Sequence, residues 1–102
     1  AWLPAEIQIT SKELEEKQKY TFIYDIDIDG KQDEIVCNYW DRWGDASCKI
    51  TSSRFGEVKL PTSCDRFGVM ASVTNSMHDL VCDRTLVMSW DQTKSEYIID
   101  EK

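Results

Sequence analysis

At 102 residues, 41% of them apolar and 11% aromatic, the chain has room for one domain and one core over 1–102. A net charge of −7 and a pI near 4.6 leave no basic footprint for a phosphate backbone, which excludes nucleic acid as a partner. The same sign argues against an anionic membrane surface, and no apolar run approaches the ~20 residues needed for membrane insertion. What the charge favours is another protein with a basic surface.

In chain order, Ala1-Trp2-Leu3-Pro4 opens without a methionine, as a mature chain after signal removal or a trimmed fragment would. Glu6 to Thr10 alternates, with Ile7 and Ile9 to one side. Ser11 to Lys19 has helical composition but a single large apolar residue, Leu14, so a short surface helix is expected. Tyr20 to Asp29 then alternates over ten residues. Tyr20, Phe22, Tyr24, Ile26 and Ile28 fall on one face; Thr21, Ile23, Asp25, Asp27 and Asp29 fall on the other. That period predicts a half-buried strand. Asp29-Gly30 supplies a turn, and Ile35 to Trp40 a second strand, so residues 20 to 40 read as a hairpin.

The run Asp25-Ile26-Asp27-Ile28-Asp29-Gly30 resembles the opening of an EF-hand calcium loop at positions one, three, five and six. Position twelve, where that loop needs a glutamate, is Val36, and the preceding residues alternate as a strand. The expectation is therefore that Asp25, Asp27 and Asp29 form an acidic, wet sheet face, with no metal and no cofactor. A looser calcium site, using Asp29 with Asp33 or Glu34, has nothing in the sequence to support it. Tyr39-Trp40-Asp41-Arg42-Trp43-Gly44 follows. Its W-x-x-W spacing is similar to the tryptophan ladder of thrombospondin type-1 repeats, which implies Trp40 as a C-mannosylation site, although the six cysteines of those repeats are missing. It also resembles the W-S-x-W-S box of cytokine receptors without its serines. Tyr39, Trp40, Arg42 and Trp43 are either core plugs or an exposed anchor; exposed, they are the leading contact candidates.

Short strands are expected at Cys48–Thr51, Glu57–Leu60, Phe67–Val73 and Leu86–Trp90, with Tyr97-Ile98-Ile99 as an edge strand or tail. About seven short antiparallel strands with little helix point to an all-β fold, a single small β-sandwich or a small barrel. Cys37, Cys48, Cys64 and Cys82 contain no C-x-x-C pair, and His78 lies four residues from the nearest, which speaks against zinc. Two disulfides, and hence an extracellular or secreted chain, fit better. His78, the one conventional general base, falls in the apparent loop Asn75–Asp79 beside no nucleophile elbow or oxyanion loop, so no catalytic residues are assigned and an enzyme is not expected.

Leu60 to Asn75 resembles the E–F corner and F strand of fibronectin type III domains, with Phe67 standing where a tyrosine would normally make the corner hydrogen bond. The resemblance implies an immunoglobulin-like sandwich of the kind found in adhesion and receptor ectodomains. Within that reading, a hairpin of 35–40 and 47–52 around Trp43 sets Cys37 opposite Cys48 and leaves Cys64 with Cys82. This is the favoured one of three connectivities. The expected function is an extracellular protein-binding module acting through the aromatic loop and the acidic face. The alternative is a free-standing secreted effector or inhibitor that blocks a host protein; a small hydrolase using His78 is the remote one.

Overall fold

Residues 19 to 40 form the hairpin that the alternation predicts, but its first strand is shorter than the pattern and its second longer. In the computed structural model, which describes residues 5–40, 42, 44–58, 60–83 and 85–99, β2 runs Lys19–Tyr24 and β3 runs Asp33–Trp40. They pair antiparallel from Lys19 opposite Asn38 to Tyr24 opposite Asp33. β4 (Asp45–Ser52) pairs with β3, and β5 (Gly56–Val58) with β4, giving a four-stranded sheet in the order β2-β3-β4-β5.

The second sheet has five strands. They are β1 (Ile7–Thr10), β6 (Arg66–Thr74), β7 (Met77–Cys82), β8 (Leu86–Asp91) and β9 (Glu96–Ile99), ordered β1-β6-β7-β8-β9 and all antiparallel. Nine strands among the described residues replace the expected seven or so. The clearest omission from the sequence reading is β7, which occupies the stretch assigned to a loop. Only Asn75 and Ser76 turn there, both with positive φ (53° and 66°) as a tight hairpin requires. β7 is central to its sheet, and Asp79, Leu80, Val81 and Cys82 are all buried, so neither face shows the polar alternation that betrays a half-wet strand.

Both sheets contribute to one apolar cluster. Ile35, Cys37, Ile50 and Val58 come from one sheet; Phe67, Val69, Leu80, Met88, Trp90 and Tyr97 come from the other. The helix α1 (Ser11–Lys17) is short, as expected, and begins with a capping box in which the Thr10 hydroxyl accepts from the Glu13 amide. It is not merely superficial, because Leu14 is 0% exposed and plugs the core. That burial contributes about 2 kcal/mol. β1 reaches β6 closely because residue 68 is a glycine. A Cβ there would lie 2.8 Å from Ala5 Cβ and 3.0 Å from both the Ile7 carbonyl oxygen and Val81 Cγ1.

The cysteines pair as Cys37–Cys48 and Cys64–Cys82. Cys37 sits directly opposite Cys48 in the β3–β4 ladder, with Cα atoms 4.0 Å apart. The second bridge joins the sheets, because Cys64 exchanges backbone hydrogen bonds with Ala46 of β4 while its sulfur holds Cys82 of β7. No helix among the described residues is long and apolar enough to cross a membrane.

Candidate functional site

β3 ends at two candidate sites of opposite character. At its far end stands Trp40, opposite Asp45 and 43% exposed. Register places Trp40 on the outer face of the four-stranded sheet with Glu34, Val36 and Asn38, flanked by Thr21 and Ile23 of β2 and by Ser47, Lys49 and Thr51 of β4. Ile23 is 59% exposed and Val36 half-buried. The Lys49–Glu57 ion pair on this face, at 3.5 Å, is open to solvent and adds little stability. Tyr39 points the other way, half-buried against the core, and Arg42 is exposed in the turn. Trp43 lies outside the described residues. The cluster is therefore divided: Trp40 is on the surface and Tyr39 packs inward.

At the near end, the expected acidic sheet face of Asp25, Asp27 and Asp29 does not exist. β2 stops at Tyr24, and residues 25–32 form a loop that curls alternate side chains toward its own centre. Ile28 takes a positive φ of 56° and is solvent-exposed, whereas Ile26 turns into the core and is tied to β7 by the His78 amide, which donates to the Ile26 carbonyl at 3.0 Å. A period of two describes this curl as well as it describes a strand, so the pattern alone misassigns it.

The loop collects four carboxylates. One oxygen from each of Asp25, Asp27, Asp29 and Asp33 lies within 4.8 Å of the others, and among the described residues this is the one group of three or more metal-type ligands. Asp33 accepts from the Ile26 amide (3.0 Å) on Oδ2 and from the Ser53 amide (2.7 Å) on Oδ1. Asp25 accepts from the Asp29 and Gly30 amides at 3.2 and 3.0 Å. The Oδ2 of Asp27 accepts from the Ser52 hydroxyl (2.6 Å), the Ser53 hydroxyl (3.2 Å) and the Arg54 amide (3.3 Å), and Arg54 Nη1 donates to the Asp27 carbonyl at 3.2 Å. Asp29 accepts from the Ser53 hydroxyl and the Lys31 amide, which together hold its carboxyl down at about 2. Asp27 and Asp33 are buried, while Asp29 faces solvent.

Ser52, Ser53 and Arg54 are absent from the sequence-derived site, and Asp33 enters it only as a partner of Asp29 in the looser calcium site. Asp33 carried a signal, being the ninth residue counted from Asp25 in a loop whose sixth is Gly30. The β4–β5 turn carried none, since the β3–β4 hairpin brings it from 25 residues away in the chain.

His78 is half-buried within β7 and not in a surface loop. Its Nδ1 lies 2.8 Å from the Met70 carbonyl oxygen, and its ring meets Tyr24 edge-on at 5.2 Å. The neighbouring Asp79 carboxylate accepts from Ser72 at 2.7 Å, so the two residues do not form a relay with a hydroxyl between them. Nearby, Tyr97 donates to the His78 carbonyl, and burial pushes its phenol far above the usual range. Comparison with protein-family models, with curated proteins and with solved structures finds no match to this chain.

Proposed function

We propose that the chain is an extracellular protein-binding module, not an enzyme, and that the outer face of the four-stranded sheet around Trp40 is its contact surface. The observation that carries this reading is the 43% exposure of a tryptophan at the end of a strand whose alternate residues Ile35 and Cys37 are sealed in the core. An aromatic anchored on a rigid ladder loses little entropy on binding and supplies a large contact area. The frame suits that role as a β-sandwich in the broad sense in which immunoglobulin and fibronectin type III domains are sandwiches, although β2–β5 and β6–β9 run as two meanders where those domains interleave their strands. Two disulfides support a secreted or extracellular location. With a net charge of −7, the partner is a protein whose contact patch pairs an apolar centre with a basic rim.

The acidic residues at 25, 27 and 29 are withdrawn from this surface, because they belong to the opposite end of β3. The test is capture of binding proteins from extracellular fluid by the native chain, by Trp40→Ser and by Thr62→Ala as a surface control. A species retained by the native chain and the control but lost with Trp40→Ser is the expected result. Equal retention by all three removes the site.

A further inference from the structure

We propose that the β2–β3 loop is a binding site for one divalent cation of the calcium type, held by the carboxylates of Asp25, Asp27, Asp29 and Asp33. The first observation is their convergence, four carboxylate oxygens within 4.8 Å of one another. The second is independent of it. Asp27 is 0% exposed, and its Oδ1 is sealed from solvent with no hydrogen-bond partner, while three donors crowd onto its Oδ2. A buried carboxylate oxygen left without a donor is costly, and natural folds avoid it unless something else fills the vacancy. The side chains gathered around it in this loop are carboxylates, which cannot donate when ionised, and the amides of Ile26, Asp29, Gly30 and Lys31 donate to Asp25, Asp29 and Asp33 instead. A cation among the four satisfies the orphaned oxygen and removes their mutual repulsion together.

The donor chemistry selects the ion. Every side-chain ligand is a hard oxygen, with neither imidazole nor thiolate, which disfavours zinc and copper. Four carboxylates in one loop exceed the one or two through which magnesium is usually held, and calcium takes six to eight oxygens in a tolerant geometry. The amides already bound to Asp25, Asp33 and Asp29 fix each carboxylate without exhausting its roughly four acceptor positions. The spacing matches loop positions one, three, five and nine of a helix-flanked calcium site, with Gly30 (φ 86°) at the sixth. Here strands flank the loop, and the bidentate glutamate at position twelve is replaced by Val36. In its place the β4–β5 turn buttresses the site through Ser52, Ser53 and Arg54.

The experiment is calorimetric titration of the native, disulfide-bonded chain with calcium chloride, followed by amide chemical shifts. One calcium per chain is expected, with a dissociation constant at or below about 1 mM, the weak end for extracellular modules. Shifts should concentrate at residues 25–33 and 52–54. Asp29→Asn, at an exposed position, should leave the amide spectrum of the fold intact and weaken binding about tenfold or more; Asp27→Asn should weaken it further. Absence of saturable binding up to about 10 mM, well beyond that range, overturns the proposal, as does undiminished binding by both variants. Magnesium binding as tight as calcium overturns the choice of ion. Trp40→Ser keeps the calcium response, so this result and the capture result fail separately.

Discussion

The two ends of β3, about 23 Å apart along seven residue steps, solve opposite problems. At Asp33 the strand ends in a buried polar knot, where carboxylates are held by amides and hydroxyls from two loops. At Trp40 it ends in an exposed aromatic beside Asp45. The polar groups lie inside and the apolar group outside, the reverse of the ordinary partition. Such an inversion lasts only where hydrogen bonds compensate the buried polar groups. One end of the strand is thus held by internal hydrogen bonds, and the other leaves an aromatic open to solvent.

Both ends depend most on the disulfide-bonded frame that they share. Replacing Cys64 and Cys82 by alanine should cost about 3 kcal/mol, as should replacing Cys37 and Cys48, because closing loops of 18 and 11 residues differs by only about 0.4 kcal/mol on chain entropy. Only the first pair joins the sheets, so its loss should also reduce the cooperativity of urea unfolding, read as a lower m value. Next in size is Asp27→Ala, which strands the buried Ser52 hydroxyl and takes one of two acceptors from the Ser53 hydroxyl and from the Arg54 amide, at a cost of about 2 kcal/mol in calcium-free urea unfolding.

Acid should then separate the ends. The folded-state carboxyl of Asp29, at about 2, lies below its ordinary 3.8, chiefly through the Ser53 hydroxyl and the Lys31 amide. Its stabilisation is therefore complete above pH ~4 and lost as pH falls towards ~2. Melting temperature should drop across that window and drop less in Asp29→Asn; identical profiles would dissolve the polar knot as described. The smallest change is expected at the other end, where Trp40→Ser should alter stability by less than about 1 kcal/mol in the same urea assay. A larger loss would make Trp40 a structural residue and erase the contrast.

Much of this was legible locally. The β2–β3 hairpin follows from alternation and turn chemistry within 22 residues of chain, and the Cys37–Cys48 pair is the favoured one of three connectivities once 35–40 and 47–52 are set as a hairpin. The aspartate loop was legible as residues but not as geometry, since Asp25, Asp27 and Asp29 keep period two whether the backbone extends or curls. What separates the two cases is the positive φ at Ile28, which no isoleucine announces. The buttress at Ser52–Arg54 depends on a nonlocal pairing, and β7 on being covered on both faces, so neither leaves a mark in its own segment.

Gly68 carries a consequence for how the chain keeps its own company. The space it leaves is bounded partly by the Ile7 backbone, so a side chain there has no flexible tip to push aside. The displaced element would be β1, and behind it α1 with Leu14, the plug of the core. β6 would then become a bare margin offering unpaired amides and carbonyls to the next molecule. A single methyl group at this position would thus act as a lever on the sheet margin, baring a longer strand on which copies can stack.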